Sequence, residues 1–310
     1  MMRYTVEEAY HGRMLREYLR AIGISAALLA RLKRREDGIL LNGTRVTVRA
    51  MLSKGDLLEL AIEDSASPEH VVPTEMPLDI LLEDSEFLVI NKAANTPTHP
   101  SHGHFTDTLA NGLVYHYAQQ GEVFCPRFIN RLDRDTTGVV LVARHAHSAA
   151  VLSRAMAEGR IAKTYLALVH GRVDAPRVIE GGIRRAAESI IFREVCDKGE
   201  GDYAKTEVIP LVATDEISLV RLIPHTGRTH QLRVHMASVG HPLLGDGLYG
   251  DADDGFPRHA LHAAHLAFPH PVTGETVRIS APLPADICEQ IESLGKEALQ
   301  IVEAEYSQKS

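Results

Sequence analysis

A chain of 310 residues and 34.1 kDa, 45% hydrophobic and 24% charged, can bury a substantial core and predicts about two domains. Its 33 basic against 41 acidic residues give a formal charge of −8, which argues against a uniformly basic nucleic-acid coat and leaves room for local patches. Cys125, Cys196 and Cys288 are too few and too far apart for a disulfide framework or a close-spaced zinc pair, and no apolar run or leader points to a membrane or to secretion, so the whole chain is read as a mature cytoplasmic protein.

The charge is unevenly spread. Residues 12–62 hold ten Lys/Arg and five Asp/Glu, a local +5 that leaves −13 for the rest of the chain. Within this unit Ser25 reads as the N-cap of a helix with Leu28, Leu29 and Leu32 on one side and Arg31, Lys33, Arg34 and Arg35 towards the other. A turn at Asp37-Gly38, a strand Ile39–Leu41, a turn at Asn42-Gly43, a strand over 45–48 and a strand Leu57–Ile62 follow. Residues 63–77 carry Pro68, Pro73 and Pro77 and predict a linker.

Beyond it, residues 78–302 read as one domain. Short strands are predicted at Phe87–Asn91, Gly138–Ala143, Thr164–Val169, Ser218–Ile223 and Thr276–Ser280. Helices are predicted at Thr106–Gln119, His147–Glu158, Thr229–Ser238 and Ala285–Lys296. Their irregular alternation predicts an α+β fold with a mixed, largely antiparallel sheet. Residues 303–310 read as a frayed polar tail.

Two constellations stand out. The loop Arg131-Leu132-Asp133-Arg134-Asp135-Thr136-Thr137-Gly138 leads into the apolar run Val139–Ala143. Loops mounted on a buried strand commonly hold reactive groups, although turns favour Asp and Thr in any case. The arginines tilt the reading towards a carboxylate kept ionised and oriented, as a nucleophile or base must be. The second constellation runs from Pro224-His225-Thr226-Gly227-Arg228-Thr229-His230-Gln231-Leu232-Arg233-Val234-His235 to Gly245-Asp246-Gly247-Leu248-Tyr249-Gly250. Thr229 is placed to cap a helix with Leu232 and Met236 inward, which sets Arg228 and Arg233 near its start for an anion or a carboxylate. His259, His262 and His265 have a spacing that would share a helix face, but they lack the acidic residue of the zinc His-Glu-x-x-His motif, so no metal site is predicted. The run 251–255 fails the spacing of a calcium loop and reads as an acidic turn.

These motifs occur in a familiar order: Val89-Ile90-Asn91-Lys92 with Thr98-His99-Pro100, Arg131-Leu132-Asp133 with Thr136-Thr137-Gly138, Lys163–Gly171, Gly227–His235, and Gly245-Asp246 with Tyr249-Gly250. From about Asp84 to Pro284 the chain resembles the RluA family of pseudouridine synthases. Residues 12–62 resemble the small RNA-binding domain named for ribosomal small-subunit protein four. The resemblance implies that Asp133 is the catalytic aspartate, Tyr165 the tyrosine that packs on the target base, and Arg233 the arginine paired with the aspartate. Lys92, Asn130, Arg131, Arg228 and His230, with Arg31, Lys33, Arg34 and Arg35 of the basic unit, become candidates for substrate binding.

The family often has His where this chain has Asn130, and usually Pro where it has Ala93. Both departures bear on subfamily and substrate and leave the three catalytic positions untouched. The implied activity is isomerisation of uridine in structured RNA, ribosomal or transfer. That reaction involves no net redox change and no energy input, so no cofactor is expected, nor a DNA or membrane partner, and the protein is expected to be a monomer. An RNA-binding module without catalysis, and a metal-dependent hydrolase using the histidine cluster, are the rival readings.

Overall fold

The computed structural model describes residues 2–24, 26–62, 71–187, 189, 191–250 and 254–307. The expected N-cap Ser25 and the first part of the linker, 63–70, lie outside them; residues 71–77 form neither helix nor strand.

The basic unit opens earlier than residue 12. Strand β1 (Met2–Thr5) is followed by helices α1 (Leu15–Ala21) and α2 (Ala26–Arg34), then strands β2 (Ile39–Leu41), β3 (Thr44–Arg45) and β4 (Leu57–Leu60). The four strands form an antiparallel sheet in the order β1-β4-β2-β3. Asn42 (φ 51°) and Gly43 (φ 77°) take left-handed conformations, as a two-residue hairpin between β2 and β3 requires. Strand β3 stops short of the expected Val48 because the chain turns there, with the Ala50 amide on the Thr47 carbonyl and the Arg16 amide on that of Val48. Leu28 and Leu32 of α2 join Leu15, Leu19, Ile39, Leu58 and Leu60 in a separate core, which leaves the arginine side of the helix outward.

The remainder is α+β, built on one large sheet. In chain order its elements are β5 (Ile80–Glu83), β6 (Phe87–Lys92), α3 (Leu109–Gln119), β7 (Arg127–Phe128), β8 (Thr137–Ala143), α4 (Ala146–Ala157), β9 (Ala162–His170), β10 (Arg177–Arg185) and β11 (Arg193–Cys196). There follow β12 (Asp202–Ala213), β13 (Ile217–Pro224), α5 (Gln231–Ser238), β14 (Leu261–Pro269), β15 (Thr276–Ser280), α6 (Ala285–Ser293) and α7 (Lys296–Ser307). The main path is β11-β10-β12-β13-β9-β14-β8-β6-β5, with β15 on β14 and β7 on β8. Every pairing is antiparallel except that of β14 with β8, where His262 meets Thr137 and Ala263 meets Gly138. Two antiparallel halves are therefore joined at a short parallel seam.

The strands at this seam are buried on both faces, which is why they read as continuous apolar runs. In β8, Val140 and Val142 pack beneath α3 and α5, while Val139, Leu141 and Ala143 pack on the opposite side with Leu152 and Ala155 of α4. Helices α6 and α7 cover that opposite side further along, against Leu166, Leu168 and Leu219. Part of the segment expected as a polar tail is thus helix, since Val302 is buried and Tyr306 packs beside it. Among the described residues no helix is long and apolar enough to cross a membrane.

The basic unit rests on α4. Tyr4 sets its ring edge-on against His147 at 6.2 Å, and Gly23 lies so close to Val151 that a Cβ there would sit 3.1 Å from Val151 Cγ2.

Candidate active site

The loop 131–136 delivers its side chains at the N-terminal end of β8, beside the parallel seam, and the sequence motifs around it turn out to be its fastenings. The Thr98 hydroxyl donates to the Leu132 carbonyl at 3.0 Å, the Thr96 amide to that of Arg134 at 3.1 Å, and the Thr136 amide to that of Asp133 at 3.1 Å. Lys92, expected at the substrate, is buried instead, and its ammonium donates to the carbonyls of Ala93 (2.8 Å), Thr96 (2.9 Å) and Arg134 (2.8 Å). Burial pulls its pKa down to about 7 against the opposing charges of Asp135 and Asp133. The correction has a simple cause: three carbonyls converge on one ammonium, so Lys92 staples the loop and does not face the cleft.

Asn130 lines the cleft, but its amide is spent on the neighbouring strand. Its Nδ2 donates to the Val139 carbonyl at 3.0 Å and its Oδ1 accepts from the Leu141 amide at 2.8 Å. Its function here is to hold the loop against β8.

Above the loop lies a cleft of about 710 Å³ lined by Asp133, Tyr165, Arg233, Arg131, Arg228 and His230 among others, so the structure brings these expected residues together. The four basic residues of α2 and its C-terminal end do not line it. Arg233 Nη1 donates to Asp133 Oδ2 at 3.3 Å. Its stronger partner is Asp246, which accepts from Nε at 2.8 Å and from Nη2 at 2.7 Å in a two-pronged pair that is almost fully buried. Burial works against both charges; the mutual hydrogen bonds and attraction outweigh it, raising the pKa of Arg233 and holding the Asp246 carboxyl below its usual range. Asp246 Oδ1 also accepts from the amides of Leu248 and Tyr249 at 3.1 and 3.2 Å. The guanidinium is thus fixed from behind and presents its remaining edge to Asp133.

Tyr165 projects from β9 into the cleft. Burial, then the charge of Asp133, raises its pKa, so the hydroxyl keeps its proton at neutral pH. Among the described residues that hydroxyl has no hydrogen-bond partner, and it is available to a ligand.

The expected cap at Thr229 is not formed. Helix α5 begins after His230, which adopts a left-handed conformation (φ 56°, ψ 16°). Gln231 secures the turn instead: its Oε1 accepts from the Thr226 hydroxyl at 2.7 Å and the Arg228 amide at 3.0 Å, and its Nε2 donates to the Lys205 carbonyl at 3.0 Å. The unusual backbone at His230 aims its ring at the cleft. Tyr249 Oη accepts from the Arg193 amide at 2.9 Å and shares a hydrogen bond with His230 Nδ1 at 2.8 Å. Burial holds the imidazole below its usual pKa, and its Nε2 lies 4.0 Å from Asp133 Oδ2.

Sequence reasoning assigns no role to Asp246, Tyr249, Lys163 and His99, although the structure sets all four in or against the cleft; their position inside the ordered motifs is the signal that points to them. The histidines 259, 262 and 265 lie in or just before strand β14 and do not share a helix face. They disperse to the hydroxyls of Thr136 (2.7 Å), Thr137 (2.9 Å) and Ser280 (2.8 Å). Among the described residues no group of His, Cys, Asp and Glu is placed to hold a metal ion.

Residues 86–238 match the family model described as RNA pseudouridylate synthase. A Bacillus subtilis protein described as an uncharacterized RNA pseudouridine synthase, YjbO, is 40% identical over 278 residues, which span 89% of this chain and 98% of that one. The ribosomal large subunit pseudouridine synthase D of Zymomonas mobilis is 36% identical over 233 residues, 71% of this chain and 74% of that one. Among solved structures, human RNA pseudouridylate synthase domain containing 1 superposes with a TM-score of 0.55 at 29% identity, covering 70% of this chain and 94% of its own.

Proposed function

Because the chain belongs to the RNA pseudouridylate synthase family and isomerises uridine to pseudouridine in RNA, we propose that Asp133 is the carboxylate on which the exchange turns. The reaction breaks the bond between the ribose carbon and uracil N1, turns the base, and rejoins it through carbon 5. That carbon loses a proton and N1 regains one, so atoms and electrons balance within the nucleotide. A carboxylate serves such a step by attacking the sugar carbon or by stabilising its developing positive charge, and both roles require a held, directed oxygen.

The observation that carries the reading is the chain Asp246–Arg233–Asp133, in which one buried guanidinium is locked at 2.7 and 2.8 Å from behind and touches the partly exposed Asp133 at 3.3 Å in front. A uridine inside paired or stacked RNA must leave its stack to reach that oxygen. The Tyr165 ring supplies a surface for the extruded base, and its protonated hydroxyl supplies a hydrogen bond to a uracil carbonyl.

Asp133→Asn keeps the shape and removes the charge. It should abolish tritium release from RNA labelled at uracil carbon 5 while RNA affinity stays within about threefold, a change worth less than about 0.7 kcal/mol. Turnover near that of the wild type in the Asn variant would remove Asp133 from the mechanism.

The RNA we propose is that of the large ribosomal subunit. Support comes from relatives named ribosomal large subunit pseudouridine synthase D in Zymomonas mobilis and Vibrio parahaemolyticus, 36% and 35% identical to this chain. Pseudouridine maps of ribosomal and transfer RNA from cells with and without the protein test this: a missing site confined to transfer RNA would refute it.

A further inference from the structure

A second hollow, of about 380 Å³, opens beside the catalytic cleft and shares Arg131, Gly227, Arg228 and Thr229 with it. Its wall is the end of β10 and the start of β11, and five arginines line it: Arg131, Arg184, Arg185, Arg193 and Arg228, against a single acidic residue, Asp202. In a chain of net charge −8 this concentration is a local reversal of sign.

The arginines differ in how far their charge is spent. Arg184 is neutralised between Glu194 (2.7 Å) and Glu200 (3.0 Å). Arg193 and Arg228 are instead held by carbonyls, Arg193 by that of Phe192 at 3.2 Å and Arg228 by that of Tyr203 at 2.9 Å. A carbonyl fixes a guanidinium without cancelling its charge. For Arg131 and Arg185 there is no ion pair among the described residues. Four of the five arginines that line the hollow therefore have no carboxylate partner among the described residues, and two of them are fixed in advance.

We propose that this hollow is a phosphodiester site, which holds the RNA backbone beside the nucleotide whose base enters the cleft. The proposal rests on the uridine-isomerising reading of the cleft and adds to it where the neighbouring phosphate goes. Three features recommend phosphate as the ligand. Guanidinium matches its paired oxygens, the hollow is polar and shallow as suits a backbone and not a base, and Arg131, two residues before Asp133, borders both spaces. Extruding a base demands that its backbone be gripped alongside, and this group of arginines directly adjoins the cleft.

The test uses the full chain with Arg185→Ala, Arg193→Ala and the pair, and a transcript of large-subunit ribosomal RNA, tritiated for turnover and unlabelled for binding. The pair should raise KM about tenfold with kcat changed less than twofold. It should also flatten the log–log dependence of affinity on salt by roughly 0.7 to 0.9 for each phosphate that is no longer neutralised. Arg185→Lys should recover most of the slope, and Arg184→Ala should shift it by less than half as much as Arg185→Ala. An unchanged KM and slope in a pair that melts like the wild type would overturn the proposal, as would equal effects at Arg184 and Arg185. If Arg193→Ala lowers the melting temperature, Arg185→Ala alone decides, since that side chain is exposed. Should the wild type release no tritium from this transcript, the choice of large-subunit RNA fails, and the salt slope still decides for or against the hollow.

Discussion

Arg233 is gripped more tightly from behind, by Asp246 at 2.7 and 2.8 Å, than it grips Asp133 at 3.3 Å, so the position of the reacting carboxylate depends on a residue outside the cleft. The pairing of Arg233 with Asp133 is what the family resemblance implies, but the two-pronged partner is Asp246, thirteen residues further on, because α5 and the turn after it fold back on themselves. Lys92 misleads for a related reason: a lysine at the end of a strand reads as a surface cation until three carbonyls are seen to close on it. Replacing Asp246 with Asn should strand a buried guanidinium, cost about 3–5 kcal/mol of stability and reduce turnover sharply. The pH dependence has a definite sign. A carboxyl held lower in the folded than in the unfolded state leaves the unfolded chain binding more protons in acid. Its stabilisation is therefore full above the ordinary carboxylate pKa of about 4 and falls as pH drops through the folded value. Denaturant unfolding of the wild type and of Asp246→Asn, followed from pH 7 down to pH 3, should show the stability gap closing below pH 4; a gap constant over that range would show that the charge of Asp246 contributes nothing.

At the level of elements, the sequence patterns reveal most plainly the strands that are largely buried, β6, β8, β9 and β13, whose apolar runs admit little else. Strands β10 and β12 escape because Gly181-Gly182 and Pro210 interrupt their apolar runs and charged residues are mixed among them, and β14 because its histidines, which bond hydroxyls on neighbouring strands, mimic a polar helix face. The parallel seam cannot be read at all, since it joins segments more than a hundred residues apart. Gly138 makes the seam possible: at φ 108°, a Cβ would sit 2.2 Å from the carbonyl oxygen of Ala263. Gly138→Ala should push β8 from β14 at the point where the Asp133 loop is anchored. We expect a loss of at least about 2 kcal/mol, from the strained backbone and the overlap together, with turnover falling further than RNA affinity. Wild-type stability and turnover in that variant would mean the seam tolerates separation without moving the loop.

For the whole molecule, the division of charge between a basic unit and an acidic remainder predicts a division of labour. Every residue of the cleft lies at or beyond Thr98, so the catalytic groups do not come from the first sheet. The two parts nevertheless touch. His147 is fully buried beneath Tyr4 and Gly23, with neither ring nitrogen hydrogen-bonded among the described residues, and burial depresses its pKa to about 4. Removing residues 1–66 should therefore lower the melting temperature by uncovering this face of α4, yet leave isomerisation at saturating RNA within a few-fold of the intact chain. Affinity should fall, and its dependence on salt should flatten by about one unit of log–log slope for every phosphate the missing domain had neutralised. Arg35 is already engaged by Asp37 at 2.8 and 2.9 Å, so within the quartet Arg31, Lys33, Arg34 and Arg35 the exposed Lys33 and Arg34 should carry more of the effect. Replacing all four with alanine should reproduce part of the change in slope without altering the saturated rate or the melting temperature. A salt slope unchanged in both the truncated and the quadruple variant would mean that the first domain does not touch the RNA backbone, and its docking on α4 would then be its contribution to the molecule.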